Sequence, residues 1–147
     1  MKTSRIAIAT TGAQICRCFP VMRELRTRIT DEKQFVERVQ RQQEQGYQLA
    51  FLECEGAVRA VAGYRFLESL LSGKNLYVDD LVTSEADRSR GFGSELIDWL
   101  VKQARENRCE TLELDSGVQR FDAHRFYFSK RMSISSYHFR SKVEPEP

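Results

Sequence analysis

The spacing of apolar residues changes period several times along the chain, and each change marks an element. Ile6 and Ile8, with Ala7 and Ala9, form a short apolar run closed by Thr11-Gly12, which predicts a first strand. Beyond it Ile15, Cys18, Phe19, Met22 and Leu25 recur at helical spacing, with Arg17, Arg23, Glu24 and Arg26 on the other side. That pattern is an amphipathic helix whose stripe is core. Thr30 is placed to cap a second helix, with Asp31 and Glu32 in its first turn, Phe35, Val36 and Val39 on its inner face and Gly46 as its stop.

The texture then turns to β-formers. Residues 49–54 and 57–67 flank Glu55-Gly56, a hairpin turn signal, and so predict an antiparallel pair. A further strand over 76–83 has Leu76, Val78 and Val82 as apolar positions and two carboxylates, Asp79-Asp80, in its middle. Residues 94–107 return to helical spacing through Leu96, Ile97, Leu100, Val101 and Ala104, and 111–114 read as a strand again. Strand, helix, strand is a crossover unit, which sets 76–83 parallel to 111–114 in one sheet. Asp122 is placed to cap a short helix through Lys130, and 134–140 read as a last strand before the polar residues 141–147. The predicted class is α/β of the mixed α+β kind: a central mixed, mainly antiparallel sheet flanked by helices. Residues 1–140 form one domain and 141–147 a tail.

Composition narrows the class. The 147 residues are 41% hydrophobic and 30% charged, with 8 Gly and 3 Pro, the balance of a globular domain of ordinary size. No apolar run approaches the roughly 20 residues needed to span a bilayer. Lys2 and Arg5 are not followed by the apolar stretch of a secretory signal, so no membrane is expected and the cytoplasm is the expected compartment. Charge points to no polyanionic partner: 23 basic against 21 acidic residues leave +2, and both signs are interspersed, unlike the one-sided basic face of a nucleic-acid binder. Cys16, Cys18, Cys54 and Cys109 lack paired metal-ligand spacing, and only His124 and His138 could complete a site, so no metal is expected. The cysteines read as reduced and mostly buried, and Cys109 has no Cys-His-acid pattern around it.

The chemistry concentrates in Arg88-Ser89-Arg90-Gly91-Phe92-Gly93-Ser94, between the acid-bearing strand and the long helix. A helix start presents main-chain N–H groups without intrahelical partners and the positive end of its dipole, which together bind anions. Gly91 and Gly93 let main chain approach a phosphate, and Arg88 and Arg90 add positive charge; a diphosphate is the natural occupant. The blander reading of a lone G-x-G is a tight turn into a helix. A dinucleotide fingerprint would need glycine where Leu96 stands, and a P-loop would need G-K-S or G-K-T where the chain has Gly93-Ser94-Glu95, so both are disfavoured.

R-x-x-G-x-G at the mouth of a helix, after the strand Tyr77-Val78-Asp79-Asp80-Leu81-Val82, resembles the acetyl-coenzyme A signature of the GNAT family of N-acetyltransferases. The resemblance continues through Leu112-Glu113-Leu114-Asp115-Ser116 and Ala123-His124-Arg125-Phe126-Tyr127, and the predicted order of elements matches that fold over most of the chain. It implies a GNAT-type acyl-CoA N-acyltransferase fold with acetyl-CoA as co-substrate. The pantetheine arm would pair with the main chain of Leu81, Val82 and Thr83. The pyrophosphate would lie on the amides of Arg90, Gly91, Phe92, Gly93 and Ser94, with Arg88 and Ser89 opening the loop and Ser116 contacting the coenzyme. The chain departs from the family where Arg131 and Met132 replace a common Gly-Phe after the tyrosine, which places the turn geometry there in question.

Acetyl transfer to an amine needs a proton acceptor for the amine, a donor for the oxyanion and a proton for the departing thiolate. Asp79 and Asp80 are the candidate acceptors. Strand alternation sends them to opposite faces, Asp79 with Tyr77 and Leu81, Asp80 with Val78 and Val82, and the valine face reads more like core. By resemblance the oxyanion donor is a main-chain N–H near Leu81 and the acid is Tyr127, whose alternative role is packing among Phe121, Phe126 and Phe128. His124 is either a pocket residue or a capping one, and Asp115 a loop-orienting one. The acceptor, a small-molecule or peptide amine, is expected near Met22, Arg23, Arg26, Tyr47, Arg65 and Tyr137. Similar proteins are commonly dimers, so a homodimer is in view. The function implied is direct transfer of acetyl from acetyl-CoA to a primary amine in a ternary complex. Its alternatives are a non-catalytic acyl-CoA-binding or regulatory module and a transferase for a longer acyl group.

Overall fold

The computed structural model describes residues 3–147 and divides them into two compact units, one ending at Leu114 and one beginning at Asp115. The first unit runs β1 (Ser4–Ile8), α1 (Gly12–Leu25), α2 (Glu32–Gln43), β2 (Gln48–Cys54), β3 (Ala57–Ser69), β4 (Gly73–Thr83), α3 (Phe92–Glu106) and β5 (Thr111–Leu114). Its sheet has the spatial order β1-β2-β3-β4-β5, antiparallel throughout except that β5 lies parallel to β4. The crossover through α3 is the connection that a parallel pair requires.

Local chemistry explains the boundaries. Thr11 caps α1 by a reciprocal box with Gln14, and Glu55 and Gly56, both at positive φ, make the two-residue turn whose twist suits a hairpin. The second helix is capped by Asp31, whose carboxylate accepts from the Gln34 amide at 2.9 Å, and not by Thr30; a carboxylate is the stronger cap beside the helix dipole.

The core has two sides. Between the sheet and α1 and α2 lie Ile15, Cys18, Phe19, Met22, Phe35, Val39, Leu49, Phe51, Val61 and Val82. Tyr64, Leu76, Leu96, Ile97 and Leu100 are also fully buried, and the Tyr64 ring meets Trp99 of α3 edge-on at 5.9 Å. The sheet is therefore covered on both faces at its centre, and β2 buries Leu49, Ala50, Phe51 and Leu52 in succession.

The second unit holds α4 (Phe121–Ser129). Asp122 lies inside its first turn and is highly exposed, bonded to Arg125, while Arg120 takes the cap position; Asp122 is thus not the cap. Arg131 does adopt the left-handed backbone, φ 62°, in which a glycine would be unstrained. The strand expected over 134–140 does not form. Ile134, Tyr137 and Phe139 are 69%, 83% and 92% exposed and pair with no strand among the described residues. Strand-forming side chains cannot by themselves satisfy extended main chain, which needs a partner edge.

Candidate active site

The bearing feature is β4, because its two edges have different lengths of partner. On one side β3 accompanies it as far as Thr83, opposite Ala60. On the other, the ladder with β5 covers only Asn75 to Val78, where Val78 faces Leu114. Among the described residues, Asp79, Asp80, Leu81, Val82 and Thr83 thus have no strand beside them on the β5 side, and extended main chain there can pair with an extended ligand.

At the point where the second ladder stops, β4 carries a bulge. The β3 register steps from Gly63 opposite Asp80 to Tyr64 opposite Val78, leaving Asp79 as an extra residue. A bulge resets side-chain alternation. Asp79 and Asp80 therefore both line one cavity, in place of the opposite faces that strict alternation predicts. Val82, beyond the bulge, joins the core under α1 and α2, whereas buried Val78 lies outside that cluster.

The cavity, about 240 Å³, is lined by Met22 and Arg26 from α1, Ile29 from the connection, Phe35, Arg38, Val39 and Gln42 from α2, and Tyr47, Asp79 and Asp80. Asp80 accepts from the Tyr47 hydroxyl and from Arg26 Nε, each at 2.7 Å. Arg26 also donates to the Asp79 carbonyl at 2.7 Å, and Arg65 donates to the Asp79 carboxylate at 2.9 Å while stacking on the Tyr47 ring. Burial pushes the Asp79 carboxyl above its ordinary value, against the hydrogen bond and charge of Arg65. Burial, followed by the charge and hydrogen bond of Asp80, holds the Tyr47 phenol well above its ordinary value, so it remains a donor at neutral pH.

Next to β4 in sequence, a 3-10 turn at Glu85–Asp87 leads into the basic loop. Its start is held by the Glu24 carboxylate, which accepts from the Glu85 amide at 2.8 Å. Asp87, only 5% exposed, accepts from Arg90 at 2.8 Å and Arg59 at 3.4 Å. Arg90 also meets Glu55 and stacks on Phe92 at 4.8 Å. Its charge is therefore largely balanced inside the loop. Arg88 is exposed and makes no ion pair among the described residues, and exposed Ser89 follows at φ 70°. Gly91, φ 85°, is the N-cap of α3 and supplies no side-chain cap; Phe92 is buried as the first helical residue, followed by Gly93 and Ser94. Glycine is the residue that takes this φ without strain and leaves the helix start bare.

Of the residues expected around the acceptor, Met22, Arg26 and Tyr47 line the cavity. Arg65 acts on it through Asp79, and Arg23 stacks over Phe19 at 5.5 Å. Tyr137 is exposed in the second unit. There too, Tyr127 is partly buried on α4, its ring 5.6 Å from that of Phe126, and burial raises its phenol above the ordinary value. His124 Nε2 lies 2.8 Å from the Gly117 carbonyl, in the segment before α4. Ser116 Oγ donates to the same carbonyl at 3.5 Å, and Asp115 meets His138. All four cysteines are free, Cys18 and Cys54 buried, and burial pushes the Cys18 thiol up to about 12. Arg38, Gln42, Arg59 and Asp87 escape a reading of the sequence as site residues, since each looks like an ordinary surface charge or amide until the fold collects them.

The chain matches the Acetyltransferase (GNAT) family over residues 15–132. The chain belongs to this family. It is 39% identical over 127 residues to the uncharacterised N-acetyltransferase YhdJ of Bacillus subtilis, a match covering 85% of this chain and 89% of that one. A shorter stretch, 63 residues at 36% identity, is similar to the aminoalkylphosphonate N-acetyltransferase of Salmonella typhimurium and covers 43% of this chain and 40% of that protein. Among solved structures, the aminoglycoside N-acetyltransferase AAC(6')-Iy in complex with CoA shares the fold at a TM-score of 0.82 and 9% identity, over 99% of this chain and 97% of that one. The protein is accordingly a GNAT N-acetyltransferase, an acyltransferase whose family uses acetyl-CoA. No helix among the described residues is long and apolar enough to cross a membrane.

Proposed function

We propose that the protein moves acetyl from acetyl-CoA to a primary amine, directly, with both substrates bound together. The observation that carries this reading is the bulge at Asp79: it puts two carboxylates into one cavity at the place where β4 loses its β5 partner. An amine with a lysine-like pKa near 10 arrives protonated at neutral pH and must lose that proton before it attacks. Asp79 is the better acceptor of the pair, since its basicity is raised by burial while Asp80 is held by two donors.

The residues present fit the coenzyme. The open edge at Leu81, Val82 and Thr83 takes the pantetheine amides, the glycine-capped start of α3 takes the pyrophosphate, and Arg88 is its unpaired cation. Bound acetyl-CoA supplies the activated acyl group as a thioester. The chain supplies the rest. A carboxylate at position 79 or 80 would take the first amine proton before attack, the Leu81 amide would stabilise the oxyanion as the C–N bond forms, and the Tyr127 hydroxyl would give its proton to the sulfur as the C–S bond breaks, the second nitrogen proton restoring the phenol. The role of Tyr127 rests on the family resemblance of Ala123-His124-Arg125-Phe126-Tyr127.

Initial rates with acetyl-CoA and amine both varied test the reading, with release of the free thiol as the signal. Intersecting double-reciprocal lines and a kcat about 100-fold lower for Tyr127→Phe are expected. Parallel lines would exclude direct transfer, and acetyl-CoA binding without turnover across a broad amine panel would make the chain a binding module.

A further inference from the structure

The cavity wall carries more positive charge than its carboxylates need. Asp79 is paired with Arg65, and Asp80 with Arg26 and the Tyr47 hydroxyl. That is one guanidinium for each carboxylate. Arg38 is a third, it lines the same cavity from α2, and among the described residues it has no ion pair or hydrogen bond. Its neighbour Glu37 turns to Lys33. An exposed, unpaired guanidinium lining the same small cavity as a carboxylate pair is a fork for a ligand oxyanion.

We infer that the acceptor is a compact primary amine bearing an oxyanion, carboxylate or phosphate, with the amine at Asp79 and Asp80 and the oxyanion at Arg38. This rests on the transferase reading above and specifies the acceptor for the same site. Three features converge. Size is the first: about 240 Å³ falls below the roughly 300–1,000 Å³ of sites for drug-sized ligands, so the occupant is a small metabolite or the end of a longer chain. Charge is the second: Arg26 and Arg38 line the cavity and Arg65 neutralises Asp79 from beside it, so a simple cation or polyamine would add to a positive surplus that an oxyanion neutralises. Shape is the third: Met22, Ile29, Phe35 and Val39 supply an apolar wall suited to a short alkyl link between two polar ends.

The test compares matched amines with the full-length protein and acetyl-CoA: phosphoethanolamine and β-alanine as oxyanionic acceptors, ethanolamine and putrescine as neutral and cationic ones. The oxyanionic amines are expected to show kcat/KM at least tenfold above the others, and the better of the two identifies the anion. Arg38 is exposed on a helix surface, so Arg38→Ala is expected to fold. It should cut the preference for the oxyanionic amine over ethanolamine at least tenfold, chiefly through KM, with Arg38→Lys recovering part of it. Equal use of all four amines, or a preference unchanged in Arg38→Ala, would overturn the inference. Titration calorimetry of phosphoethanolamine and β-alanine onto protein without acetyl-CoA separates the two readings. Arg38-dependent binding of either with no turnover would sink the transferase reading and keep the anion site. Turnover of ethanolamine or putrescine with no preference for the anion would do the reverse.

Discussion

Gly63 of β3 and the ring of Tyr47 occupy adjoining space so closely that a Cβ at position 63 would overlap the phenol, lying only 2.6 Å from Cε2 and closer still to Cζ and the hydroxyl. Gly63 also stands opposite Asp80 in the ladder, so the empty side of a glycine is what admits Tyr47 to its hydrogen bond with that carboxylate. Gly63→Ala is expected to cost about 1–3 kcal/mol by overpacking, read from urea unfolding. In the double variant with Tyr47→Ala the two costs should fall clearly short of their sum. Full additivity would mean that the ring does not depend on the glycine.

The pH behaviour of Asp79 follows from its raised pKa. A carboxyl whose pKa is higher in the fold than in the unfolded chain binds protons more tightly when folded. Its contribution to stability is present below the ordinary value near 3.8 and is lost as pH rises through the raised one. Stability of the wild type should therefore fall over that window by an increment that Asp79→Asn lacks, seen in chemical denaturation at stepped pH. Activity moves the other way. Proton acceptance needs the ionised form, so the acidic limb of kcat/KM should lie above the range of an unperturbed aspartate. If Asp79→Asn retained that limb, Asp80 would be the acceptor.

Asp87 ties the basic loop to the sheet through Arg90 and Arg59. Replacing it by Asn keeps the shape and removes the charge that pairs both guanidiniums. Hydrogen bonds to charged groups contribute about 1.5–3 kcal/mol, so the loop should lose order ahead of α3. Affinity for acetyl-CoA is expected to weaken by about tenfold in calorimetry, on the order of 1.4 kcal/mol. Unchanged affinity would show that the loop holds its form without this clasp.

Arg131 sits at φ 62° just after α4. Left-handed backbone costs an ordinary L-residue about 1–2 kcal/mol, partly offset by the entropy glycine gains when unfolded. Arg131→Gly should stabilise the protein by up to about 1 kcal/mol, raising Tm by roughly 3 °C in differential scanning calorimetry. A lower Tm would mean that the arginine side chain contributes more than the backbone conformation costs.

The order of elements from β1 to α4, the hairpin at Glu55-Gly56 and the parallel crossover were legible in the sequence, because periodicity, turn residues and caps act over a few positions. So was the glycine-flanked start of α3, since Gly91 at positive φ is a local requirement. Local chemistry could not determine what depends on a partner strand. Residues 134–140 have strand composition but enter no ladder among the described residues, and strict alternation placed Asp79 and Asp80 on opposite faces. The bulge that reunites them is a register event between β3 and β4, visible only when both strands are present. The pairings of Asp80 with Arg26 and of Asp79 with Arg65 join positions 54 and 14 residues apart, and the fold brings the unpaired Arg38 to the same cavity, relations that chain order does not show. Sequence alone determined the fold family and the glycine-capped helix start of α3, because these rest on short-range motifs. Tertiary structure decided the shape and charge of the cavity at Asp79 and Asp80, because these arise from long-range packing of α1 and α2 over β4.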